Sequence, residues 1–319
     1  EEKDSFFLLL SLLSEEEKGK TFIMQMIEKG FGVYHEKSLE GVIAGVLYGQ
    51  TLLSSISRME KYASCAYSYF LQYGISLRER EYYGFEDRDI GTIFHGVLEI
   101  FSNKIIKSGY TWLNFPREEE EKMVAEALEE FSTEYTDALL FESAINRYTL
   151  RRMDRILKRA VNVISYQLKK GKYVPEAYEV SFAVEESLDE INIALNEQEK
   201  MRLNGRIDRL DTYEDDQRVY VKVVDYKSGN KDFSLAAFYH GLQLQLVVYL
   251  NEAMKSAANS HQGKEAIPAA LLYYHVSDPL IDGEEGMNDE SINQKIRQEL
   301  RTRGIVNSDA SVIKSLDES

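Results

Sequence analysis

The stretch "KMRLNGRIDRLDTYEDDQRVYVKVVDYK", residues 200–227, decides the fold. Two runs of alternating apolar and polar residues flank the polar segment "EDDQ", a pattern typical of a β-hairpin. Successive side chains of a strand point to opposite faces, so Val223, Asp225 and Lys227 form one row. The second strand therefore ends with an acid and a base on the same side.

The pairing of the two strands decides whether a second acid joins them. If residues 214–217 form the loop, Tyr213 pairs with Arg218 and Asp208 faces Val223. Asp208 and Asp225 are then diagonal neighbours on one face of the sheet. A loop one residue longer or shorter sends them to opposite faces, and the sequence alone leaves this register open.

Two carboxylates on one face repel each other unless a cation lies between them or one is protonated. Oxygen ligands suit Mg²⁺ or Mn²⁺, and such an ion activates water for attack on a phosphate. Lys227 would then orient that water or neutralise developing charge. The competing interpretation is an edge strand whose surface ion pair between Asp225 and Lys227 contributes less than about 1 kcal/mol.

The composition is that of a globular protein: 44% of the 319 residues are hydrophobic and 29% are charged. This length predicts one large or two moderate domains. The sequence has no run of eighteen apolar residues, so we expect no membrane span. Its single cysteine, Cys65, suits a reducing cytoplasm, which is the predicted location.

The net charge of −16 argues against a nucleic-acid binder when taken alone, because DNA phosphates repel an acidic protein. The charge is unevenly distributed, however, and residues 147–172 contain nine basic residues against one acid. Four of the arginines recur every four residues and share one helical face. They are Arg147, Arg151, Arg155 and Arg159. This stripe is either a solvated helix face or a surface that binds DNA phosphates.

Periodicity predicts mostly helices first and then a small mixed sheet with helices around it, an α/β (α+β) chain. The expected helices cover two segments of residues 1–50, then 55–74, 87–109, 118–136, 141–171, 234–257 and 289–304. The expected strands cover 178–186, 191–196, the hairpin and 269–276. Ser57 and Glu60 have the spacing of a capping box. Asp211, Asp215 and Asp216 are interpreted as turn and surface charges.

Four motifs in a fixed order carry a family resemblance. "GTIFHGVLE" (91–99), "GRIDR" (205–209), "VVDYKSG" (223–229) and "QLVVY" (245–249) resemble the RecB-like branch of the PD-(D/E)xK nuclease superfamily. Residues 55–81 are similar to the C-terminal nuclease domains of AddB subunits in bacterial helicase–nucleases. The resemblance implies a restriction-endonuclease-like core at 51–319. It also implies that the large helical N-terminal part, 1–50, belongs to a preceding helicase-like region.

The resemblance assigns a role to each motif residue. Asp208, Asp225 and His95 would be metal ligands, together with the backbone carbonyl of Tyr226. Lys227 would be the catalytic lysine. Gln245 and Tyr249, one helical turn apart, would lie near the scissile phosphate, with Gln243 assisting.

The implied function is that of a Mg²⁺- or Mn²⁺-dependent exonuclease that trims DNA while its partner, the AddA helicase–nuclease subunit, unwinds broken ends for recombinational repair. The sequence itself has no GxxxxGK[ST] phosphate loop. One alternative is a catalytically inactive nuclease-like module that channels DNA or docks the helicase subunit. Another is a helical docking module that carries the hairpin as decoration.

Cys65 departs from the family pattern. The corresponding cysteine joins a C-terminal trio around a [4Fe–4S] cluster, which needs four thiolates, and this sequence has one. Ala66 also stands where the family usually has proline. Either the sequence stops before that trio or this lineage lacks the cluster. We expect the nuclease domain to be truncated before the trio, so the cluster is predicted only for a full-length protein.

Overall fold

The structure is a computed structural model that describes most of the chain. The described residues are 11, 17–31, 40–78, 80, 87–134, 144–182, 191–229, 232–261, 263–283 and 286–318. The chain divides into two compact units, Glu1–Leu47 and Tyr48–Ser319. The assignment of residues 1–50 to a preceding helicase-like region stays a prediction.

The helices of the described residues lie mainly before the hairpin, as predicted. They are α1 (Glu17–Phe31), α2 (Gly41–Tyr48), α3 (Ile56–Ser64), α4 (Ala66–Tyr69), α5 (Asp87–Ser108), α6 (Arg117–Glu134), α7 (Ala144–Leu168), α8 (Leu235–Tyr239), α9 (Gln245–Ser260), α10 (Asp289–Glu299) and α11 (Ala310–Leu316). A short π-helix, Phe70–Gly74, follows α4. Residues 135–143, where two predicted helices meet, lie outside the described part. No helix in the described ranges is both long and apolar enough to cross a bilayer.

Within the described ranges, seven strands form one mixed sheet. They are β1 (Thr51–Ser55), β2 (Val174–Phe182), β3 (Ile191–Ala194), β4 (Lys200–Glu214), β5 (Arg218–Lys227), β6 (Glu265–His275) and β7 (Arg303–Val306). The order is β1-β4-β5-β6-β7, and β2 and β3 also pair with β4. A mixed sheet flanked by helices confirms the predicted fold class. Residues 183–190, which include the predicted end of β2, lie outside the described part.

The long strand β4 organises the sheet because its two halves have different partners. Its first half pairs with β1 in parallel and with β3 in antiparallel fashion. Its second half lies between the antiparallel strands β2 and β5. Strand β5 then pairs in parallel with β6, so the carboxyl ends of these two strands meet at one edge. This edge is where the motif residues of β5 lie.

Both faces of the sheet are covered by helices. On one face α5, α6 and α7 pack against Val224, Tyr226 and Tyr274. On the other face α9 packs against Val219, Val221 and Val223, the row that also carries Asp225. The alternation that the sequence predicts for β5 is therefore observed. Because β5 pairs with β4 on one side and with β6 on the other, it is not an edge strand.

Three local predictions are wrong. The expected helix 234–257 is broken into α8 and α9 at Gly241, whose φ of 73° no ordinary residue adopts easily. Gly304 does not close a helix but lies in β7, where a Cβ would meet the Leu271 carbonyl oxygen at 2.0 Å. The N-cap of α3 is Ser55 rather than Ser57, since the Ser55 hydroxyl accepts the Arg58 N–H.

Candidate active site

The hairpin register brings the two motif aspartates face to face. Arg209 pairs with Val224 and Glu214 pairs with Val219, so paired residue numbers sum to 433 rather than the expected 431. The loop is thus two residues shorter than predicted, since Arg218 lies opposite Asp215 instead of Tyr213. Continuing the register by one pair sets Asp208 opposite Asp225. Because the sum changes by two, the same-face relation survives. The predicted diagonal contact is replaced by a direct one.

A third carboxylate stands at the same level of the sheet. Strand β2 pairs Tyr178 with Arg209 and Val180 with Ile207, which places Glu179 opposite Asp208. Glu179, Asp208 and Asp225, here called the carboxylate row, therefore cross three adjacent strands. Neighbouring strands are only about 4.8 Å apart, so the three carboxylates crowd one another.

His95 completes this cluster from helix α5. Its Nδ1 lies 3.3 Å from Glu179 Oε1 and 3.4 Å from Asp208 Oδ1. The ligand-type atoms of His95, Glu179 and Asp208 all lie within 4.8 Å of one another, a spacing that one metal ion could span. The other oxygen of Asp208, Oδ2, accepts the backbone N–H of Tyr226 at 2.6 Å. The backbone of Tyr226 is thus at the site, while its ring packs into the core with α5.

The second group of motif residues surrounds Asp225. Lys227 Nζ lies 2.6 Å from Asp225 Oδ2 and donates to Gln245 Oε1 at 3.0 Å. The amide nitrogen of Gln245 donates to Asp225 Oδ1 at 2.7 Å and to the Tyr249 hydroxyl at 3.2 Å. The side chain of Gln245 therefore fixes the acid, the lysine and the tyrosine relative to one another.

Burial and mutual repulsion change the acidity of these groups. Burial and the neighbouring charge of Asp208 raise the pKa of Asp225 well above its usual range, and Lys227 only partly opposes them. Burial also raises the pKa of Glu179. Burial lowers the pKa of His95, but hydrogen bonds to Asp208 and Glu179 outweigh it and raise that pKa to about 10. The site thus concentrates negative charge that it neutralises with protons.

A residue of helix α3 fixes the start of α9. Glu60 of α3 accepts the backbone N–H groups of Leu244 at 2.8 Å and Gln245 at 3.2 Å. These are unsatisfied donors of a helix N-terminus, where a carboxylate is favoured. The sequence spacing assigned Glu60 to its own helix. In the structure it caps the helix that presents Gln245 instead.

A second buried cluster lies further along β4. Asp211, predicted to be a surface charge, is fully buried; its carboxylate contacts Arg209 Nε at 2.8 Å and Lys222 Nζ at 2.8 Å. Arg209 also lies over the ring of Tyr226, and Lys222 lies over the ring of Tyr173. The cluster of Arg209, Asp211 and Lys222 is called the Arg209 cluster below. The prediction failed because a polar residue near a turn gives no local sign of a buried partner on the next strand.

Two predicted residues lie away from the carboxylate row. Gln243 is buried, and its described hydrogen bonds go to the backbone of Asp232 and Ser234. It braces the loop between β5 and α9. Cys65 is exposed, and its sulfur accepts the N–H of Ser68 at the start of α4.

The basic stripe is on helix α7. Arg147, Arg151 and Arg155 are exposed, as a shared helical face requires. Arg155 and Arg159 both donate to Asp278. Asp278 follows β6 by three residues, and the last residue of β6, His275, pairs with Lys227. The C-terminal half of the stripe therefore reaches the sheet edge that carries the site, with part of its charge neutralised there.

The described residues fit a divalent cation. The imidazole of His95 and the carboxylates of Glu179 and Asp208 converge, whereas Asp225 lies beside this group and not within it. Buried carboxylates that crowd one another need a cation or protons between them. Oxygen-rich sites of this kind suit Mg²⁺ or Mn²⁺. Sequence reasoning missed Glu179. Its available signal was an acid within the strand-like run "YEVSF", but only the β2–β4 register places it at the site.

Comparisons with known proteins agree with this geometry. Residues 54–313 match the family model of the PD-(D/E)XK nuclease superfamily. The chain is 37% identical over 306 residues to the B-subunit of the ATP-dependent helicase/deoxyribonuclease of Lachnoclostridium phytofermentans, covering 95% of this chain and 25% of that protein. The proteins of the same name from Thermoanaerobacter sp. and Clostridioides difficile are 35% and 36% identical over 86% and 83% of this chain, and 24% and 23% of their own lengths.

The chain thus spans about a quarter of the length of the curated relatives it matches. The family match covers both strands of the hairpin, the helix that carries His95 and the helix that carries Gln245. With the carboxylates, the lysine and the histidine in the order and the place that the motifs predict, the chain belongs to the PD-(D/E)XK nuclease superfamily.

Proposed function

We propose that this chain is a divalent-metal-dependent DNA nuclease domain that hydrolyses phosphodiester bonds. The observation that carries the proposal is the convergence of Asp208, Asp225 and Lys227 at one end of the β4–β5 hairpin. A module that had lost its activity would not need to keep three buried acids and a lysine in contact. We assign residues 51–319 to the nuclease domain and 1–50 to a preceding helicase-like region.

The proposed metal ligands are the side chains of His95, Asp208 and Asp225 and the backbone carbonyl of Tyr226. A bound Mg²⁺ or Mn²⁺ ion would supply a water of lowered pKa and polarise a phosphoryl oxygen. The remaining chemistry is assigned to the chain's own residues. Metal binding would also relieve the repulsion between the two aspartates.

Lys227 is the proposed catalytic cation. Its ammonium group is held between Asp225 Oδ2 and Gln245 Oε1, so it reaches the edge of the metal site without being a ligand. There it would orient the attacking water or stabilise charge on the phosphate. Burial raises the pKa of Tyr249 to about 12, so its hydroxyl stays protonated at neutral pH and can donate to a phosphate oxygen.

We further propose that the domain acts as an exonuclease on double-strand DNA ends in recombinational repair, together with an AddA helicase–nuclease subunit in the cytoplasm. The relatives, each named as one subunit of an ATP-dependent helicase/deoxyribonuclease, support this context. The single cysteine suits a cytoplasmic location. A [4Fe–4S] cluster involving Cys65 is proposed only for a full-length protein with three further thiolates.

The stripe on α7 is the proposed DNA contact. Arg147 and Arg151 lie on its exposed N-terminal half, whereas Arg155 and Arg159 pair with Asp278. Replacement of Arg151 by Glu should weaken DNA binding and flatten its salt dependence, because each phosphate contact adds to that slope. An unchanged slope would make the stripe a solvated face.

The central test replaces Asp208 or Asp225 by Asn in the intact protein. We expect Mg²⁺-dependent cleavage of the DNA strand that this domain cuts to be lost, with DNA binding kept. Each strand is labelled separately, so that a nuclease in a partner subunit is not mistaken for this one. Asp216→Asn, in the exposed hairpin turn, is the matched control. Cleavage of that strand that persists in either site variant would overturn the assignment of the site, and an intact protein that cuts neither strand in a site-dependent way would favour an inactive module.

A further inference from the structure

Glu179 is the one member of the carboxylate row that no motif assigns. It lies on β2, at the same level as Asp208, and its side chain is 3% exposed. A buried carboxylate at the centre of other acids costs free energy unless something there requires it. The question is whether it serves the metal site or only the packing of β2.

The backbone of Glu179 turns its side chain toward the site. Its φ of 50° is a left-handed conformation that residues other than glycine rarely adopt. Its Oε1 lies 3.3 Å from His95 Nδ1, the same nitrogen that lies 3.4 Å from Asp208 Oδ1. One imidazole nitrogen therefore faces two carboxylate oxygens. A metal ion bound in place of the hydrogen on His95 Nδ1 would contact this nitrogen, Glu179 Oε1 and Asp208 Oδ1.

The other oxygen of Glu179 has a different kind of partner. Its Oε2 lies 2.5 Å from Arg206 Nε, and the Arg206 side chain is 53% exposed. Arg209 differs from Arg206 in its exposure. Its side chain is 4% exposed and pairs with the fully buried Asp211. Arg206 can exchange its carboxylate partner for water, whereas Arg209 cannot leave its own without losing a buried ion pair.

We propose that Glu179 is a further ligand of the metal ion at this site, and that Arg206 is the counter-ion that the metal displaces from it. The inference rests on the proposed function, because it adds a ligand to the same centre. It assigns the site three carboxylates and one imidazole. It also gives Arg206 a position at the edge of the site from which, once displaced, it can contact the DNA backbone.

The test is calorimetric titration of the intact protein with Mn²⁺. The binding heat of the Asp208→Asn variant is subtracted, so that metal bound elsewhere on the protein does not contribute. Glu179→Gln keeps the size of the side chain, and we expect it to raise the Kd for Mn²⁺ by about tenfold or more, as changes around metal ligands commonly do. Glu176→Gln is the matched control, because Glu176 lies on the same strand but away from the row and should leave the Kd unchanged.

Arg206→Gln separates ligation from packing. If Arg206 competes with the metal for Glu179, its removal should lower the Kd for Mn²⁺. If Glu179 only orients His95 or only anchors Arg206, this variant leaves the Kd unchanged or raises it, and either result overturns the inference. A Glu179→Gln protein with the parental Kd also overturns it. If the parent binds no more Mn²⁺ than Asp208→Asn does, the proposed function fails as well.

Discussion

The carboxylate row and the Arg209 cluster are neighbours on β4, and both are buried, but their charges are arranged differently. In the Arg209 cluster one acid, Asp211, lies between two cations. In the carboxylate row three acids stand side by side, and their cationic partners Arg206, Lys227 and His95 are 53%, 22% and 24% exposed. The cations of the Arg209 cluster are buried with their acid, whereas those of the carboxylate row lie nearer to solvent, where the proposed metal ion could take their place.

The acidities of two aspartates on these strands show the same difference. Burial acts to raise the pKa of both. In Asp211 the attraction of Arg209 and Lys222 outweighs burial and lowers the pKa. In Asp225 the repulsion of Asp208 adds to burial and raises it. The sign of the shift therefore distinguishes a charge that stabilises the fold from a charge kept for binding.

The largest expected effect is in the Arg209 cluster. Asp211→Asn leaves Arg209 and Lys222 buried without an acid, and breaking a buried ion pair in this way typically costs about 3–5 kcal/mol of unfolding free energy. Denaturant unfolding of the parent and the variant measures it. Asp216→Asn, in the exposed hairpin turn, should change stability by less than about 0.5 kcal/mol. A loss that small for Asp211→Asn would remove the structural role from the cluster.

Strand β5 carries one lysine in each cluster, Lys227 beside Asp225 and Lys222 beside Asp211, and replacing them in turn sharpens the comparison. Lys227→Met should lower the single-turnover cleavage rate by roughly 10²–10³, because a preorganised charge near the phosphate is lost. It should leave the Kd for Mn²⁺ close to the parental value. It should lower the unfolding free energy less than Lys222→Met does, because Lys227 is 22% exposed and Lys222 only 10%. Lys222→Met is the control, since Lys222 pairs with Asp211 inside the protein and should change stability but not the cleavage rate.

Two outcomes would contradict the assignment of Lys227. Cleavage within a few-fold of the parent would mean that Lys227 is only the ion-pair partner of the buried Asp225. A stability loss as large as that of Lys222→Met would make it a structural residue.

The smallest expected effect is a gain in stability. Asp225→Asn removes a carboxyl whose pKa in the folded state lies above the value of 3.8 for an unperturbed aspartate. A raised pKa means that the folded parent loses stability as the pH rises through it. Without metal, the variant and the parent should therefore have similar unfolding free energies at about pH 4, and the variant should be the more stable of the two at about pH 8.

Thermal unfolding in the presence of a chelator, at both pH values, measures this gain. Asp225→Asn lacks one of the proposed metal ligands. Added Mn²⁺ should therefore raise the melting temperature of the parent but not that of the variant. A variant less stable than the parent at both pH values would mean that Asp225 holds the fold together, as Asp211 does.

The sequence predicted the parts of the site that depend on local geometry. Alternation along β5 sets Asp225 and Lys227 on one side whatever the strand packs against. One helical turn separates Gln245 from Tyr249, and the structure joins them by a hydrogen bond at 3.2 Å. The order of the motifs predicted the family, which the comparisons confirm. The roles of the individual residues remain proposals.

The misses at the site depend on partners that lie on other helices or strands. Glu60 has the spacing of a local cap, yet it caps a helix that begins 185 residues later. Asp211 resembles a turn residue until β5 brings Lys222 against it. Glu179 gives no signal without the β2–β4 register.

What the sequence by itself determined is thus the set of reactive side chains and the face or turn on which each lies, because strand and helix periods are properties of the backbone. The tertiary structure alone decided which of those faces meet. A hairpin loop two residues shorter than predicted changed the position opposite Asp208 from Val223 to Asp225, and strand pairing added Glu179 on the other side. Register follows from the geometry of the turn together with the faces that the whole sheet buries, so the alternation along a single strand does not determine it.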